Sequence, residues 1–302
     1  MNPIEITALS KTYKGKRKHV VNALSDLSLT VASGEICGFL GPNGAGKSTT
    51  IKILMGLIKP TAGTALLCGL PVTDSRARVS VGYLPENPSV YEYLTAREYL
   101  RLCGDIYGMG SEAIRNETER VLSLLDLSDA ADRPVRGYSK GMAQRLCLAR
   151  TLLHDPDIYI FDEPMSGLDP VGRALVKDIM KELKEHGKTV FFSTHITADV
   201  EVVCDRVVII AGGRLRSDSA VEDLLESGIE GYYVQVKNCD ASLYEGLEAA
   251  SKPSGVTEVY VPRSEFNLLM EKLGRAGGDI RLVEPKRRDL EAHFLDILTK
   301  SD

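Results

Sequence analysis

The strongest constraint on this chain is a short glycine-rich run. It fits the pattern G-x-x-x-x-G-K-[ST], and its residues are Gly41, Pro42, Asn43, Gly44, Ala45, Gly46, Lys47 and Ser48. Such a loop wraps its backbone N–H groups around a polyphosphate, because glycine leaves room for a close approach. The Lys47 side chain would reach the β- and γ-phosphates, and the Ser48 hydroxyl would ligate Mg²⁺.

The segments on either side of this loop support a phosphate site. The apolar run Ile36-Cys37-Gly38-Phe39-Leu40 predicts a buried strand before the loop. A helix-like pattern follows over residues 47–57, with apolar Ile51, Leu54 and Met55. A helix that begins at the loop would direct its free N–H groups and its dipole toward the phosphates.

Composition and charge exclude several other classes of protein. The chain has 302 residues, of which 43% are hydrophobic and 26% charged, as in ordinary globular proteins. A net charge of −5 argues against bulk attraction to nucleic acid or to anionic lipid. The six cysteines are scattered without a C-x-x-C pair, which favours reduced thiols in the cytosol over a disulfide or zinc framework. We recognise no signal peptide and no apolar run of about 18 residues, so we expect any membrane role to depend on a partner.

Strand-like and helix-like segments alternate along the chain, which predicts an α/β fold of two domains. The first domain is expected over residues 1–227, and a small α/β domain over residues 228–302. The strands expected in the first domain besides the one before the loop include residues 4–9, 21–24, 27–31, 157–161, 188–192 and 206–210. The second domain is expected to have strands at 232–236, 258–261 and 280–283, and helices at 242–250, 265–276 and 290–298. Residues 95–127 are mostly helical in pattern, and the basic stretch 14–19 is interpreted as a solvated hairpin tip.

Two acidic residues end the apolar run at residues 158–161. Asp162 at the end of a buried strand would hold Mg²⁺ and its water, and Glu163 would polarise the attacking water as a general base. Successive side chains of a strand point to opposite faces, so the two carboxylates are expected to diverge.

Three further residues gain their meaning from their positions in the chain. Ser139 precedes a helical run and would cap it, and Asp169 precedes Pro170 at another helix start. His195 ends the strand after the one bearing Asp162, where a residue that senses the γ-phosphate would stand. Taken alone, each of these residues also fits an ordinary structural role.

Six segments in this order resemble those of the nucleotide-binding subunit of ABC transporters, over about residues 4–227. The segments are the Walker A loop (41–48), a Q-loop-like segment (83–86), the signature (138–144), Walker B (158–163), the D-loop (166–169) and the H-loop histidine (His195). The resemblance implies a P-loop NTPase fold of the ABC type, with a helical insert at about residues 95–155. It also implies that the chain binds ATP and Mg²⁺ and hydrolyses ATP.

The resemblance further implies a role for each matching residue. The implied catalytic residues are Glu163, His195 and Lys47, and the implied metal ligands are Ser48, Glu86 and Asp162. The other implied ATP contacts are Tyr13, stacked on adenine, with Gly41, Pro42, Asn43, Gly44, Ala45, Gly46, Thr49, Ser139, Gly141 and Asp169. Two copies would pair head to tail as a homodimer, with each ATP between one P-loop and the other copy's signature helix. The partner would be a polytopic transmembrane permease subunit, which holds the chain at the cytoplasmic face of the cell membrane.

Two segments depart from the family pattern. The signature reads Tyr138-Ser139-Lys140-Gly141-Met142 instead of Leu-Ser-Gly-Gly-Gln, so Ser139 and Gly141 are kept. Glu86 stands where glutamine is usual. Both variants resemble the branch whose separate subunits drive export and often carry a small C-terminal domain.

Two alternative classes fit the P-loop. A soluble ABC-type ATPase acting on the ribosome or on DNA usually has two cassettes or a coiled-coil insert, whereas this chain has one P-loop and no such heptads. A P-loop kinase or GTPase fits less well, because the signature and the histidine follow ABC spacing and no Asn-Lys-x-Asp motif is present.

Overall fold

The computed structural model describes residues 2–14, 20–87, 89–252 and 254–299. The chain forms two compact units, Met1–Ser219 and Ala220–Asp302, which are described separately below. The basic stretch interpreted as a hairpin tip lies outside the described residues, apart from Lys14.

The first unit contains two sheets and six helices within the described residues. Its strands are β1 (Ile4–Lys14), β2 (Val20–Val31), β3 (Ile36–Leu40), β4 (Ala62–Leu67), β5 (Leu70–Pro71), β6 (Val81–Leu84), β7 (Ile158–Asp162), β8 (Thr189–Thr194), β9 (Arg206–Ala211) and β10 (Arg214–Ala220). Its helices are α1 (Lys47–Leu54), α2 (Ala96–Ile106), α3 (Ser111–Leu124), α4 (Lys140–Leu152), α5 (Pro170–Glu185) and α6 (Thr197–Val203).

The central sheet has the strand order β10-β9-β3-β8-β7-β6, and the neighbours from β9 to β6 run parallel. All residues of β3, β7 and β8 are buried, as expected for parallel strands covered on both faces. Their carboxyl ends meet at one edge of the sheet, which is where open α/β sheets bind ligands. The sequence therefore places the P-loop, Asp162 and the end of β8 at a common edge.

The second sheet has the antiparallel order β2-β1-β4-β5. The two strands predicted at 21–24 and 27–31 form the single strand β2, so the predicted break was wrong. Asp26 adopts a φ of 56° there, and its N–H donates to Ser10 Oγ at 3.0 Å. The polar pair Ser25-Asp26 thus marks an irregularity in the register between β2 and β1, and the two strands stay paired on both sides of it.

Helices α2, α3 and α4 pack together as a helical layer within the first unit. Thr95 and Glu98 form a capping box at the start of α2. Gly104 lets α3 approach closely, because a Cβ at this position would lie 2.6 Å from Ile114 Cγ1. Helix α1 starts at Lys47, as predicted, but it ends at Leu54, whereas the prediction extended it to residue 57.

The second unit is a four-stranded antiparallel sheet with three helices in its described part. Its strands are β11 (Ile229–Lys237), β12 (Glu248–Ser251), β13 (Val256–Pro262) and β14 (Asp279–Arg287), and its helices are α7 (Val221–Ser227), α8 (Phe266–Arg275) and α9 (Leu290–Thr299). The sheet order is β12-β13-β11-β14. Val234, Val259 and Leu273 belong to its buried core. Helix α7, which the sequence analysis assigned to the first domain, packs with α9 in this unit.

The prediction of a helix at residues 242–250 is wrong. Asp240 accepts a hydrogen bond from Ser242 N at 3.0 Å, which closes a 3₁₀ turn over Ala241–Tyr244. The alanine-containing segment after it forms the exposed edge strand β12, with Ala249 opposite Val259 of β13. Pairing with β13 overrides the local preference of alanine for a helix.

Candidate nucleotide-binding site

The glycine-rich loop leaves the carboxyl end of β3 and leads directly into α1. Gly44 and Gly46 have φ values of 81° and 112°, a conformation that favours glycine. A Cβ at Gly46 would lie 2.7 Å from the Ala23 carbonyl oxygen, so the loop also needs glycine there for space. No side chain caps the start of α1, so its first N–H groups remain available for a phosphate.

A cavity of about 380 Å³ opens over this loop. It is lined by Tyr13, Val21, Ala23, Asn43, Gly44, Ala45, Gly46, Lys47, Ser48, Thr49, Glu86 and Glu163. The structure thus brings Tyr13 and Glu86, which lie far apart in the sequence, to the P-loop. Tyr13, which lines this cavity, is 40% exposed as a residue, and Lys11 Nζ lies 5.2 Å from the centroid of its ring. Val21 and Ala23 were not predicted as lining residues, because no chemical motif distinguishes them from other residues of β2.

Lys47 is buried and is held by the loop that it follows. Its Nζ donates hydrogen bonds to the carbonyl oxygens of Gly41 at 2.7 Å and Pro42 at 3.3 Å. It also lies 3.4 Å from Glu163 Oε1. Lys47 is only 6% exposed and lines the cavity, so these partners hold its positive charge at the cavity wall.

Asp162, at the end of β7, accepts hydrogen bonds from two hydroxyl groups. Ser48 Oγ donates to Asp162 Oδ1 at 3.2 Å, and Ser193 Oγ donates to the same oxygen at 2.6 Å. Ser193 is opposite Asp162 in the parallel register of β7 and β8. Sequence reasoning missed this role of Ser193, although its place one residue before Thr194-His195 was the available signal.

Glu163 lies just beyond β7 and has a φ of 50°, which is unusual for a residue other than glycine. Its N–H donates to the Ser193 carbonyl oxygen at 3.2 Å and to Ser193 Oγ at 3.1 Å. Its carboxylate lies 3.0–3.1 Å from His195 Nδ1 and is 10% exposed. Glu163 therefore stands between Lys47 on one side and His195 on the other.

The segment that carries Glu86 is connected to the core through Tyr83 and Arg150. Arg150 Nη2 donates to the Tyr83 carbonyl oxygen at 3.1 Å. Burial, together with the charge of Asp162, raises the pKa of the Tyr83 phenol to about 12. The phenol is thus neutral near pH 7. Glu86 itself is exposed at the edge of the cavity.

Five predicted ATP contacts do not line the cavity formed by the described residues of one chain: Gly41 and Pro42 at the start of the loop, and Ser139, Gly141 and Asp169. Ser139 caps α4, with its hydroxyl accepting from Met142 N at 3.2 Å. Asp169 caps α5 by accepting from Gly172 N at 2.7 Å.

The signature segment is nevertheless tied to the acidic loop. The buried Gln144 donates from Nε2 to the Pro164 carbonyl oxygen at 3.4 Å. Lys140 reaches the D-loop, since its Nζ would lie 2.8 Å from a Cβ placed on Gly167.

Comparisons with known proteins agree with this geometry. The family described as "ABC transporter" matches residues 24–166. An ABC transporter ATP-binding protein of Nostoc sp. is 40% identical over 286 residues, which cover 93% of this chain and 85% of that protein. The chain belongs to the family of ABC transporter ATP-binding proteins. It is an ATP-binding subunit and an ATPase.

Other relatives of this ABC ATPase support the same assignment. An ABC transporter ATP-binding protein of Bacillus subtilis is 35% identical and matches 98% of this chain and 99% of its own length. The Nod factor export ATP-binding protein I of Burkholderia lata is 39% identical over 258 residues, covering 84% of this chain and 83% of that protein.

Solved structures of the same kind share the fold. The structure of an ATP-binding subunit of an ABC transporter has a TM-score of 0.67 at 34% identity, covering 73% of this chain and 91% of that one. A dimeric, post-hydrolysis ATP-binding cassette bound to ADP and Pi also has a TM-score of 0.67, at 26% identity and with 72% and 98% coverage. In the described parts of the ABC ATPase, none of the helices has the length and apolar character needed to cross a membrane.

Proposed function

We propose that this ABC ATPase powers a membrane exporter through a separate transmembrane permease, at the cytoplasmic face of the cell membrane. The observation that carries the catalytic part is the row formed by Lys47, Glu163 and His195 beside the glycine-rich loop. The direction of transport is supported by the relatives named as Nod factor export ATP-binding proteins.

The cavity over the P-loop would bind ATP. The N–H groups of the loop and of the first turn of α1 would hold the phosphates, with the Lys47 ammonium beside the β- and γ-phosphates. Tyr13 offers a partly exposed ring at the same cavity, on which the adenine would stack.

The residues present also fit Mg²⁺. Ser48 Oγ and Asp162 Oδ1 are hard oxygen donors that lie 3.2 Å apart at the phosphate loop. Mg²⁺ is usually bound by one or two carboxylates together with substrate phosphates and water. When bound, the ion would neutralise charge that develops on the phosphates. Glu86 lines the same cavity and is proposed to contact this ion or its water from the other side.

Glu163 is proposed as the general base. Its carboxylate is largely buried beside Lys47, so it has few water contacts to compete with a positioned nucleophile. The contact with His195 Nδ1 would fix one side of the carboxylate, and we propose that the histidine senses the γ-phosphate from this position. Hydrolysis then depends on positioning and on electrostatic stabilisation of the transferred phosphoryl group.

The site is proposed to be completed by a second copy of the chain. Two helix starts that could contact phosphate lie outside the cavity of their own chain. They are the start of α4, with Ser139 and Gly141, and the start of α5, with Asp169. Mixing a Ser139→Ala protein with a Glu163→Gln protein tests this idea. Mixed dimers should regain one competent site, whereas activity that never exceeds the sum of the two variants under subunit exchange would refute the shared site.

A groove beside the Q-loop-like segment is proposed as the docking surface for the permease. It has a volume of about 450 Å³, and its lining includes Tyr91, Tyr99, Leu102, Ile106, Tyr107 and Arg150. Ile106 is 75% exposed and Tyr91 is 63% exposed, so the rim is apolar and open to a partner. Arg150 lines the groove and also holds the Tyr83 carbonyl, so this groove is connected to the strand that leads to Glu86.

The experiment is affinity purification of the chain from detergent-solubilised membranes. We expect a polytopic membrane protein to co-purify, and an Ile106→Asp variant to lose it while keeping its own ATP hydrolysis. Lys181→Ala, at an exposed position of α5, is the matched control. Recovery of ribosomes in place of a membrane protein would overturn the transport proposal. Retention of the membrane protein by the Ile106 variant would overturn the assignment of the groove.

A further inference from the structure

A second groove, on the helical layer, combines unpaired positive charge with a buried hydroxyl group. We call it the arginine groove. It has a volume of about 340 Å³ and a polar lining of Arg97, Arg101, Ser111, Arg115, Thr118 and Glu119. None of these residues lines the nucleotide cavity or the groove proposed for the permease.

The charges of the arginine groove are not balanced. Arg97 pairs with Glu119 and, at 3.1 Å, with Asp132, so its charge is neutralised. Arg101 follows four residues later on α2, and Arg115 lies across the groove on α3. Neither of these two exposed arginines has a hydrogen bond or an ion pair with any residue that the structure describes. Two guanidinium groups on one groove repel each other unless an anion lies between them.

Thr118 adds an independent observation. It lines the groove and is only 6% exposed. Its buried Oγ1 has no hydrogen-bond partner among the residues with described positions. A buried hydroxyl without a partner costs stability, and an acceptor oxygen of a bound ligand would remove that cost.

The start of α3 provides further donors at the same groove. This 14-residue helix begins at Ser111, and Gly110 before it makes no side-chain cap. The first N–H groups of the helix and the Ser111 hydroxyl are therefore available to an anion.

From these features we propose that the arginine groove binds a phosphate group, carried either by a small soluble phosphomonoester or by a lipid head group. Two guanidinium forks suit the several oxygen atoms of a phosphate, since arginine forms paired hydrogen bonds with such groups. The hydroxyls of Thr118 and Ser111 offer further donors to the remaining oxygens. The volume of the groove exceeds that of a bare phosphate, which leaves room for the group esterified to it.

The test measures binding of two matched probes to the full-length protein loaded with saturating Mg-ADP, which occupies the nucleotide cavity. The soluble probe is sn-glycerol 3-phosphate, followed by calorimetric titration. The membrane probe is a vesicle of phosphatidylcholine that contains phosphatidic acid, followed by flotation. Binding in the first arm alone identifies a soluble ligand, and binding in the second arm alone identifies a lipid head group.

Arg101→Ala and Arg115→Ala should each weaken binding by about tenfold or more, because each removes charge-assisted hydrogen bonds. Both side chains are exposed, so neither change should disturb the fold. Lys181→Ala again serves as the control. Equal binding by the parent and by the double arginine variant would overturn the proposal, as would the absence of binding in both arms.

Thr118→Val separates a ligand from a purely structural hydroxyl. The change keeps the shape of the side chain and removes its only polar group. If the hydroxyl contacts the phosphate, the variant should bind the probe more weakly and the free protein should melt at a higher temperature. Unchanged binding together with a higher melting temperature would overturn the assignment of Thr118 to the site.

Discussion

Glu163→Gln is the sharpest test of the proposed chemistry, because it changes one group and little else. The glutamine has the same shape, and its amide can keep a hydrogen bond to His195 Nδ1, now at 3.0–3.1 Å from the carboxylate. Lys47 loses its contact with Glu163, but it keeps the hydrogen bond to the Gly41 carbonyl. We therefore expect the variant to fold and to bind ATP.

The expected loss lies in the hydrolysis step. General-base assistance contributes about 10²–10⁴ in rate, which corresponds to about 2.7–5.4 kcal/mol at about 1.36 kcal/mol per factor of ten. Binding should change much less, since it depends mainly on the loop N–H groups and on Lys47. Removing the carboxylate also removes one negative charge near the γ-phosphate. The variant should therefore accumulate as an ATP-bound dimer.

Two measurements check this expectation. Single-turnover release of phosphate gives the hydrolysis rate, and size-exclusion chromatography with Mg-ATP or Mg-ADP gives the oligomeric state. A dimer should form with ATP and be absent with ADP. Glu185→Gln, at an exposed position of α5, is the matched control. If Glu163→Gln hydrolyses ATP at the parental rate, another group activates the water and the assignment is refuted.

Three further predictions concern other parts of the chain. Lys47→Ala should weaken binding of a fluorescent ATP analogue by about tenfold or more, and unchanged binding would contradict the P-loop assignment. Gly231→Ala should lower the free energy of unfolding of the second unit in urea by about 1–3 kcal/mol, because the added Cβ would lie 2.5 Å from a backbone oxygen. Gly274→Ala is the control: its Cβ would meet nothing within 4 Å, so no such loss is expected. Burial lowers the pKa of His154 below its ordinary value of 6.5. As the pH falls, the histidine of the unfolded chain is therefore protonated before that of the folded chain. The stability of the fold should then decrease as the pH drops from about 6.5 through the lower folded-state pKa. His154→Phe, which keeps the stack on Tyr107, should remove that pH step in thermal melts, and an unchanged profile would assign it to another group.

The proposed phosphate-binding part of the site could be predicted because its residues are consecutive in the sequence. The loop between β3 and α1 carries the glycines, Lys47 and Ser48 in one continuous stretch. Asp162 could be added because a buried parallel strand delivers its last residue to the same edge of the sheet. These inferences need only the strand–loop–helix order, which hydrophobic patterning predicts well.

Other features could not be predicted because they depend on contacts between distant segments. The strand β2 continues through Ser25-Asp26 because it stays paired with β1 on both sides, and Ser10 Oγ accepts the N–H of Asp26 at the irregularity. The local sequence does not reveal this pairing. The edge strand β12 forms in place of a helix because β13 offers it a partner. The arginine groove likewise appears only when α2 and α3 lie side by side. Local propensity was outweighed by tertiary pairing in the first two cases.

The conformation of Glu163 shows most clearly where sequence reasoning ends. Alternation along a strand predicts that Asp162 and Glu163 diverge, and the proline at 164 favours an extended residue before it. Instead Glu163 has a φ of 50°. Such a conformation costs about 1–3 kcal/mol and persists only where the surrounding structure enforces it. Ser193 is the residue that enforces it: its backbone and hydroxyl oxygens receive the Glu163 N–H, while the same hydroxyl donates to Asp162. A single serine thus orients both acidic residues, so its replacement by alanine should disturb the proposed metal ligand and the proposed base together.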